Sequence, residues 1–157
     1  VKILAYDKYK TNFSTSQVIE SSLEAIFAHA DIVSLHLPWN PETNYFADAS
    51  FFEKFAKPIF FLNTSRGGVC DTNALLNALE MNRVKGAGLD VFENENWKNC
   101  TEPERQLWER IIASSKIIKT PHIAGWTSES KFKLAEITAN KIVEELKHIR
   151  NGMKSND

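Results

Sequence analysis

The chain has 157 residues, 43% apolar and 11% aromatic, a composition that suits one domain with a compact core and excludes disordered or fibrous classes. Lys plus Arg is 19 and Asp plus Glu is 20, a formal charge of -1, so nothing broadly electrostatic favours nucleic acid or an anionic membrane as partner. The longest apolar run, around Ile59 to Leu62, falls far short of the roughly 20 residues that cross a bilayer, and no basic-then-apolar leader precedes it.

Two cysteines, Cys70 and Cys100, lack zinc-type spacing, which predicts a reducing, cytoplasmic setting and no metal site. The chain starts at Val1 without Met, and a piece of a longer protein is expected.

Residues 2 to 6 form a short apolar run that stops at Asp7, a buried strand entering a polar loop. A second short strand fits Gln17 to Glu20, and Ser22 opens an amphipathic helix that ends near His29. Asp31 to Pro38 reads as a buried strand closed by Pro38 and by the turn-forming Asn40-Pro41-Glu42-Thr43. A helix over Ala49 to Phe55 puts Phe51, Phe52 and Phe55 on one face, and Pro58 to Asn63 is the next strand. Asp71 then caps a helix that runs through Met81, with Leu75, Ala78 and Leu79 aligned.

Arg83 to Phe92 predicts a further strand, Glu93 to Pro103 a polar loop, and Glu104 to Ser114 a helix. Lys116 to Thr120 is a short strand ended by Pro121, Thr127 caps a final helix, and Asn151 to Asp157 is a fraying tail. Strands and helices in alternation predict an α/β fold, a doubly wound parallel sheet whose ligands sit beyond the carboxyl ends of the strands.

The residues at those ends carry the candidate chemistry. An acid ending a strand of a dinucleotide-binding unit bonds the adenosine ribose and repels a 2'-phosphate, so Asp7 favours NAD over NADP. Arg66, followed by Gly67 and Gly68, offers a planar pair of donors to an anionic substrate, the glycines letting backbone approach a ligand. His122 at the end of the last strand suits a general acid or base, and Glu93 and Glu95 are the two carboxylates able to orient it.

Ala30 to Pro38, Asn63 to Asp71, Gly86 to Glu95 and Pro121 to Gly125 together resemble, in order and over nearly the whole chain, the NAD-binding domain of the D-isomer-specific 2-hydroxyacid dehydrogenases, the family that includes D-3-phosphoglycerate dehydrogenase. The resemblance implies a Rossmann-like sheet and hydride transfer between NAD(H) and a D-2-hydroxy or 2-oxo acid, 3-phosphoglycerate among the candidates. By it, Arg66 holds the substrate carboxylate and carbonyl, Glu95 pairs with His122, and His122 passes the proton. The family's acid lies five residues beyond the strand Asp, here Asp90, which selects Glu95 and leaves Glu93 off the relay. Asp7 meets the ribose, Thr64, Ser65 and Asp90 line the nicotinamide side, and His36, Leu37, Pro38, Ala124 and Gly125 complete the cofactor site. It also implies a homodimer, with the segment from Trp97 to Trp108 as a candidate surface, and it admits an NAD(H)-sensing corepressor as the alternative function.

Three departures stand out. Glu95 is followed by Asn96 where the family has Pro, and Trp126 stands where small residues are usual. The glycine-rich phosphate loop is absent, since the six glycines fall at 67, 68, 86, 88, 125 and 152 and Gly86-Ala87-Gly88 leads into a strand rather than out of one. The first strand, this loop and a substrate domain are expected to precede Val1, so the sheet is expected to be incomplete and NAD binding by the isolated chain weak.

Overall fold

A computed structural model describes residues 1–154, apart from the side chains of Trp97 and of residues 150–154, and divides the chain into two compact units, Val1–Pro121 and His122–Asp157. The first unit holds six strands, β1 (Ile3–Ala5), β2 (Val18–Glu20), β3 (Ile32–Leu35), β4 (Ile59–Asn63), β5 (Val84–Leu89) and β6 (Ile117–Lys119). It also holds four helices, α1 (Leu23–His29), α2 (Ala49–Glu53), α3 (Thr72–Glu80) and α4 (Glu102–Ala113). All pairings are parallel: β1 with β2 in a two-stranded sheet, and β3-β4-β5-β6 in a four-stranded one. Parallel neighbours need a crossover, and α2, α3 and α4 supply one between each successive pair of the larger sheet.

The alternation of side chains fixes which face is inside. On β4, Ile59, Phe61 and Asn63 are buried while Phe60 and Leu62 point to the opposite, exposed face with Ile32 and Ile118. The buried face packs on the phenylalanines of α1 and α2: Phe27, Phe51, Phe52, Phe55 and Phe61 meet edge to face with ring centroids 5.0 to 5.5 Å apart. Each such pair adds roughly 0.5–1.5 kcal/mol beyond its burial. Leu75, Leu76 and Leu79 of α3 complete this core from the next crossover.

Both ends of the helices are tied down. Ser22, Asp48 and Asp71 accept backbone N–H bonds from Ala25 (3.2 Å), Phe51 (2.8 Å) and Ala74 (3.0 Å). At the other ends, basic side chains from the strands reach back to the orphan carbonyls: Arg83 to Glu53 and Phe55, Lys116 to Leu79, and Lys119 to Ile111 and Ile112.

Several boundaries differ from the sequence reading: α2 ends at Glu53, before Phe55, and β5 ends at Leu89, which leaves Asp90 to Phe92 in the loop after it. The structure begins α4 at Glu102, inside the expected loop, because Thr101 and Glu104 form a reciprocal capping box and Pro103 sits in the first turn, where its missing N–H costs nothing. One turn of 3₁₀ helix, Gly67–Val69, was not anticipated after β4.

In the second unit, a turn closed by Trp126 N–H on the Ile123 carbonyl (2.9 Å) leads into α5 (Ser128–Lys154). The Thr127 hydroxyl accepts from Ser130 N–H at 3.1 Å, as the sequence predicts for its cap. The helix continues through Lys154, past the start of the expected tail, and Ser155, Asn156 and Asp157 lie outside the described residues.

Candidate active site

The carboxyl ends of β4 and β5 carry the densest polar structure. Asn63, the last residue of β4, is 1% exposed. Its carbonyl oxygen Oδ1 accepts from Ser65 N–H (3.1 Å) and Ser65 Oγ (2.8 Å), and its Nδ2 donates to the Arg66 carbonyl (3.0 Å). A single buried amide thus shapes the loop that presents Arg66. The guanidinium is exposed, and one nitrogen donates to the Ser65 carbonyl at 2.6 Å. A guanidinium carries five N–H donors, so one bond to its own loop orients it without exhausting it.

The two glycines after Arg66 each permit a close approach within the chain. A Cβ on Gly67 would stand 2.0 Å from the Phe92 carbonyl carbon and oxygen, and one on Gly68 would stand 2.5 Å from the Trp39 ring. The Gly67 approach is to the chain's own backbone and presses the Arg66 loop onto the loop after β5, and the Gly68 approach is to the Trp39 indole.

In that second loop, Asp90 is 3% exposed and accepts from the Thr120 hydroxyl at 2.5 Å, while its N–H donates to the Asn63 carbonyl at 3.0 Å. It is a buried acceptor between the ends of β4, β5 and β6. Glu93 accepts from Tyr45 Oη and from Thr72 N–H, both at 2.8 Å. Glu95 is exposed, with Oε1 at 3.4 Å from Phe92 N–H. Trp108 stacks on Phe92 with centroids 4.4 Å apart and donates to the Asn94 carbonyl at 3.2 Å. It belongs to its own unit's packing, and the Trp97 side chain lies outside the described residues.

Asp7 is exposed just beyond β1. Its Oδ1 accepts from Tyr9 N–H (2.9 Å) and Lys10 N–H (3.0 Å), and these two bonds hold its carboxyl below the usual range. It starts a turn and still presents an ionised oxygen at a strand end. His36 and Pro38 are exposed and Leu37 half-buried after β3, with the His36 ring 2.9 Å from Ser34 Oγ. Thr64 is exposed beside Ser65.

His122, Ala124 and Gly125 fall in the second unit. His122 has φ 54°, a left-handed conformation uncommon outside glycine and often found at functional positions. All three are exposed, and a Cβ on Gly125 would meet nothing within 4 Å.

A cavity of about 200 Å³ is lined by Trp39, Tyr45, Thr72, Phe92, Glu93 and Trp108 among others. None of the residues predicted to bind or react lines it; those residues stand on the strand ends. Cys70 and Cys100 are both free; burial pushes the Cys70 thiol well above its ordinary range, which makes it an inert core residue. Among the described residues no set of three His, Cys, Asp or Glu is placed to hold a metal, and no helix is long and apolar enough to cross a membrane.

Residues 1–124 match the D-isomer specific 2-hydroxyacid dehydrogenase, NAD binding domain. The D-lactate dehydrogenase of Streptococcus pyogenes serotype M1 is 34% identical over 152 residues, which cover 93% of this chain and 46% of that protein. The glyoxylate reductase of Thermofilum pendens is 34% identical over 151 residues, 94% of this chain and 42% of that protein. The crystal structure of the D-isomer specific 2-hydroxyacid dehydrogenase of Lactobacillus delbrueckii ssp. bulgaricus, in its NAD complexed form, superposes with a TM-score of 0.76 at 26% identity, covering 93% of this chain and 46% of that one. The chain therefore belongs to the D-isomer specific 2-hydroxyacid dehydrogenase family, as its motifs predict, and it spans about half the length of the relatives it matches.

Proposed function

We propose that the protein carrying this chain, as a member of that family, is an NAD-dependent enzyme that reduces a small 2-oxo acid to the D-2-hydroxy acid. The observation that carries the reading is the Arg66 loop: an exposed guanidinium shaped by buried Asn63 at the carboxyl end of β4, within the matched NAD-binding domain. The donor set fits the cofactor. Asp7 offers an ionised acceptor for ribose hydroxyls, and Thr64 and Ser65 stand at the strand end with Asp90 beneath them. NAD(H) supplies the hydride. Arg66 holds the substrate carboxylate and polarises the carbonyl, His122 gives the proton to the carbonyl oxygen, and Glu95 stabilises the protonated imidazole.

The names of the relatives favour acids of the size of pyruvate and glyoxylate over 3-phosphoglycerate, and a sensing or corepressor role draws no support from them. A cytoplasmic homodimer is part of this reading; a strictly monomeric mass in light scattering removes the dimer. The test is spectrophotometric: NADH oxidation by the protein with pyruvate, glyoxylate and hydroxypyruvate, each repeated with NADPH. Turnover with NADH well above NADPH is expected, and Asp7→Ala should narrow the preference. Failure to oxidise NADH with any of the three acids overturns the reading.

A further inference from the structure

Glu93 has no place in the predicted relay, yet its two oxygens join three segments far apart in sequence. One accepts from the N–H of Thr72, the first residue of α3, and the other from the hydroxyl of Tyr45. Tyr45 itself has φ 51°, and its N–H donates to the Gly68 carbonyl at 2.9 Å. Between these anchors, Gly67 lies against the Phe92 carbonyl and the Glu93 amide, with no room for a Cβ.

The Arg66 loop is therefore held at both ends. Asn63 fixes its start, and Glu93 fixes its end, reaching α3 through Thr72 and Gly68 through Tyr45. Glu93 stands two residues before Glu95 on the opposing loop. Side-chain length matters here. Aspartate is one methylene too short to reach both partners from the same backbone. Glutamine keeps the carbonyl acceptor for Thr72 and can donate its amide to the Tyr45 oxygen.

We propose that Glu93 is a positioning residue whose carboxylate locks the loop carrying Arg66 onto the loop carrying Glu95, and so sets where the substrate carboxylate is held. The proposal rests on Arg66 being the carboxylate anchor, and its test separates the two. In the protein carrying this chain, Glu93→Ala should raise KM for pyruvate or glyoxylate about tenfold, since small displacements of a positioning group have effects of this order and more. KM for NADH should stay within about twofold, and Glu93→Gln should return the oxo-acid KM to near wild type. Amide hydrogen exchange over residues 64–72 and 90–95 should quicken in Glu93→Ala and recover in Glu93→Gln.

Unchanged exchange in Glu93→Ala overturns the lock. Faster exchange with unchanged oxo-acid KM, or with both KM values moving together, overturns the positioning role and leaves Glu93 a stabilising contact. Should Glu93→Ala fail to fold, Tyr45→Phe removes one of the two bonds and should give the same signs at smaller size. Wild-type protein that reduces no 2-oxo acid overturns the functional reading instead, and the exchange pattern then decides the lock alone.

Discussion

The loops after β4 and β5 and the segment around His122 carry the two halves of the proposed chemistry, and they are held in opposite ways. The former are clamped: buried Asn63, the Gly67 contact and the Glu93 bonds leave the Arg66 loop little freedom. The segment from His122 to Trp126 is exposed, bends through φ 54°, and has open space around Gly125. Anion recognition needs fixed geometry, because a bidentate donor displaced from its acceptor loses most of its advantage. A proton donor needs the right ionisation and access at one moment. The contrast predicts that the clamped region is intolerant of added volume, while Gly125 tolerates it.

The largest effect should come from that imidazole. His122→Ala removes the general acid and should cost on the order of 10²- to 10⁴-fold in reductive turnover, with little change in thermal stability because the side chain is exposed. Full activity in the variant ends the relay.

A matched pair of glycine substitutions probes the contrast directly. Gly67→Ala puts a methyl group 2.0 Å from the Phe92 backbone, which cannot rotate away as a side chain could. The variant should lose about 3 kcal/mol of stability, at the upper end for overpacking, or displace the Arg66 loop with a comparable loss of substrate affinity. Gly125→Ala meets nothing and has no positive φ to relieve, so it should change stability by at most about 0.5 kcal/mol. Thermal or denaturant unfolding of the two variants decides it, and equal effects would abolish the distinction.

Glu95→Gln keeps an acceptor for the ring but removes the charge. Reductive turnover should then fall by about tenfold or more, because the proposed relay uses that carboxylate. Glu93→Gln should leave turnover within about twofold of wild type, since both its hydrogen bonds have a neutral counterpart. A loss of turnover in Glu93→Gln with none in Glu95→Gln reverses the two assignments.

The sequence was most legible where periodicity and punctuation act locally. The strands at 3–5, 32–35 and 59–63 follow from short apolar runs, and the caps at Ser22, Asp71 and Thr127 from small polar residues ahead of helical patterns. The burial expected of the first two of these strands does not hold on both faces: Ile3 and Ile32 are exposed, because one face of each strand is left uncovered. The start of α4 was obscured because Pro103 reads as a loop terminator until the Thr101–Glu104 box is recognised. Gly67 and Gly68 announce a close approach, but their partners Phe92 and Trp39 are distant in sequence and leave no local signal. Glu93 was unreadable for the same reason: its partners lie 21 and 48 residues away, and no local pattern encodes such pairing.

The smallest effect tests the clamp through one phenol. The Glu93 carboxylate that accepts the Tyr45 hydroxyl raises that group to about 12, with burial and the negative charges of Glu93 and Asp71 acting in the same direction. An unfolded tyrosine titrates near 10. The folded value lies above the unfolded one, so the contribution is fully present below about pH 10 and fades as pH rises through about 12. Tyr45 is 44% exposed, so solvent screening reduces the contribution to stability to about 1 kcal/mol at most. Tyr9 also titrates late, raised by its bond to Glu42, and the difference in tyrosinate absorbance between wild type and Tyr45→Phe isolates the Tyr45 curve. In Glu93→Gln that curve should fall by about one pH unit, because the charge is gone while a hydrogen bond to the phenol oxygen remains. A Tyr45 that titrates near 10 in the wild-type protein would mean that Glu93 does not hold it, and the proposed lock would lose one of its two hydrogen bonds.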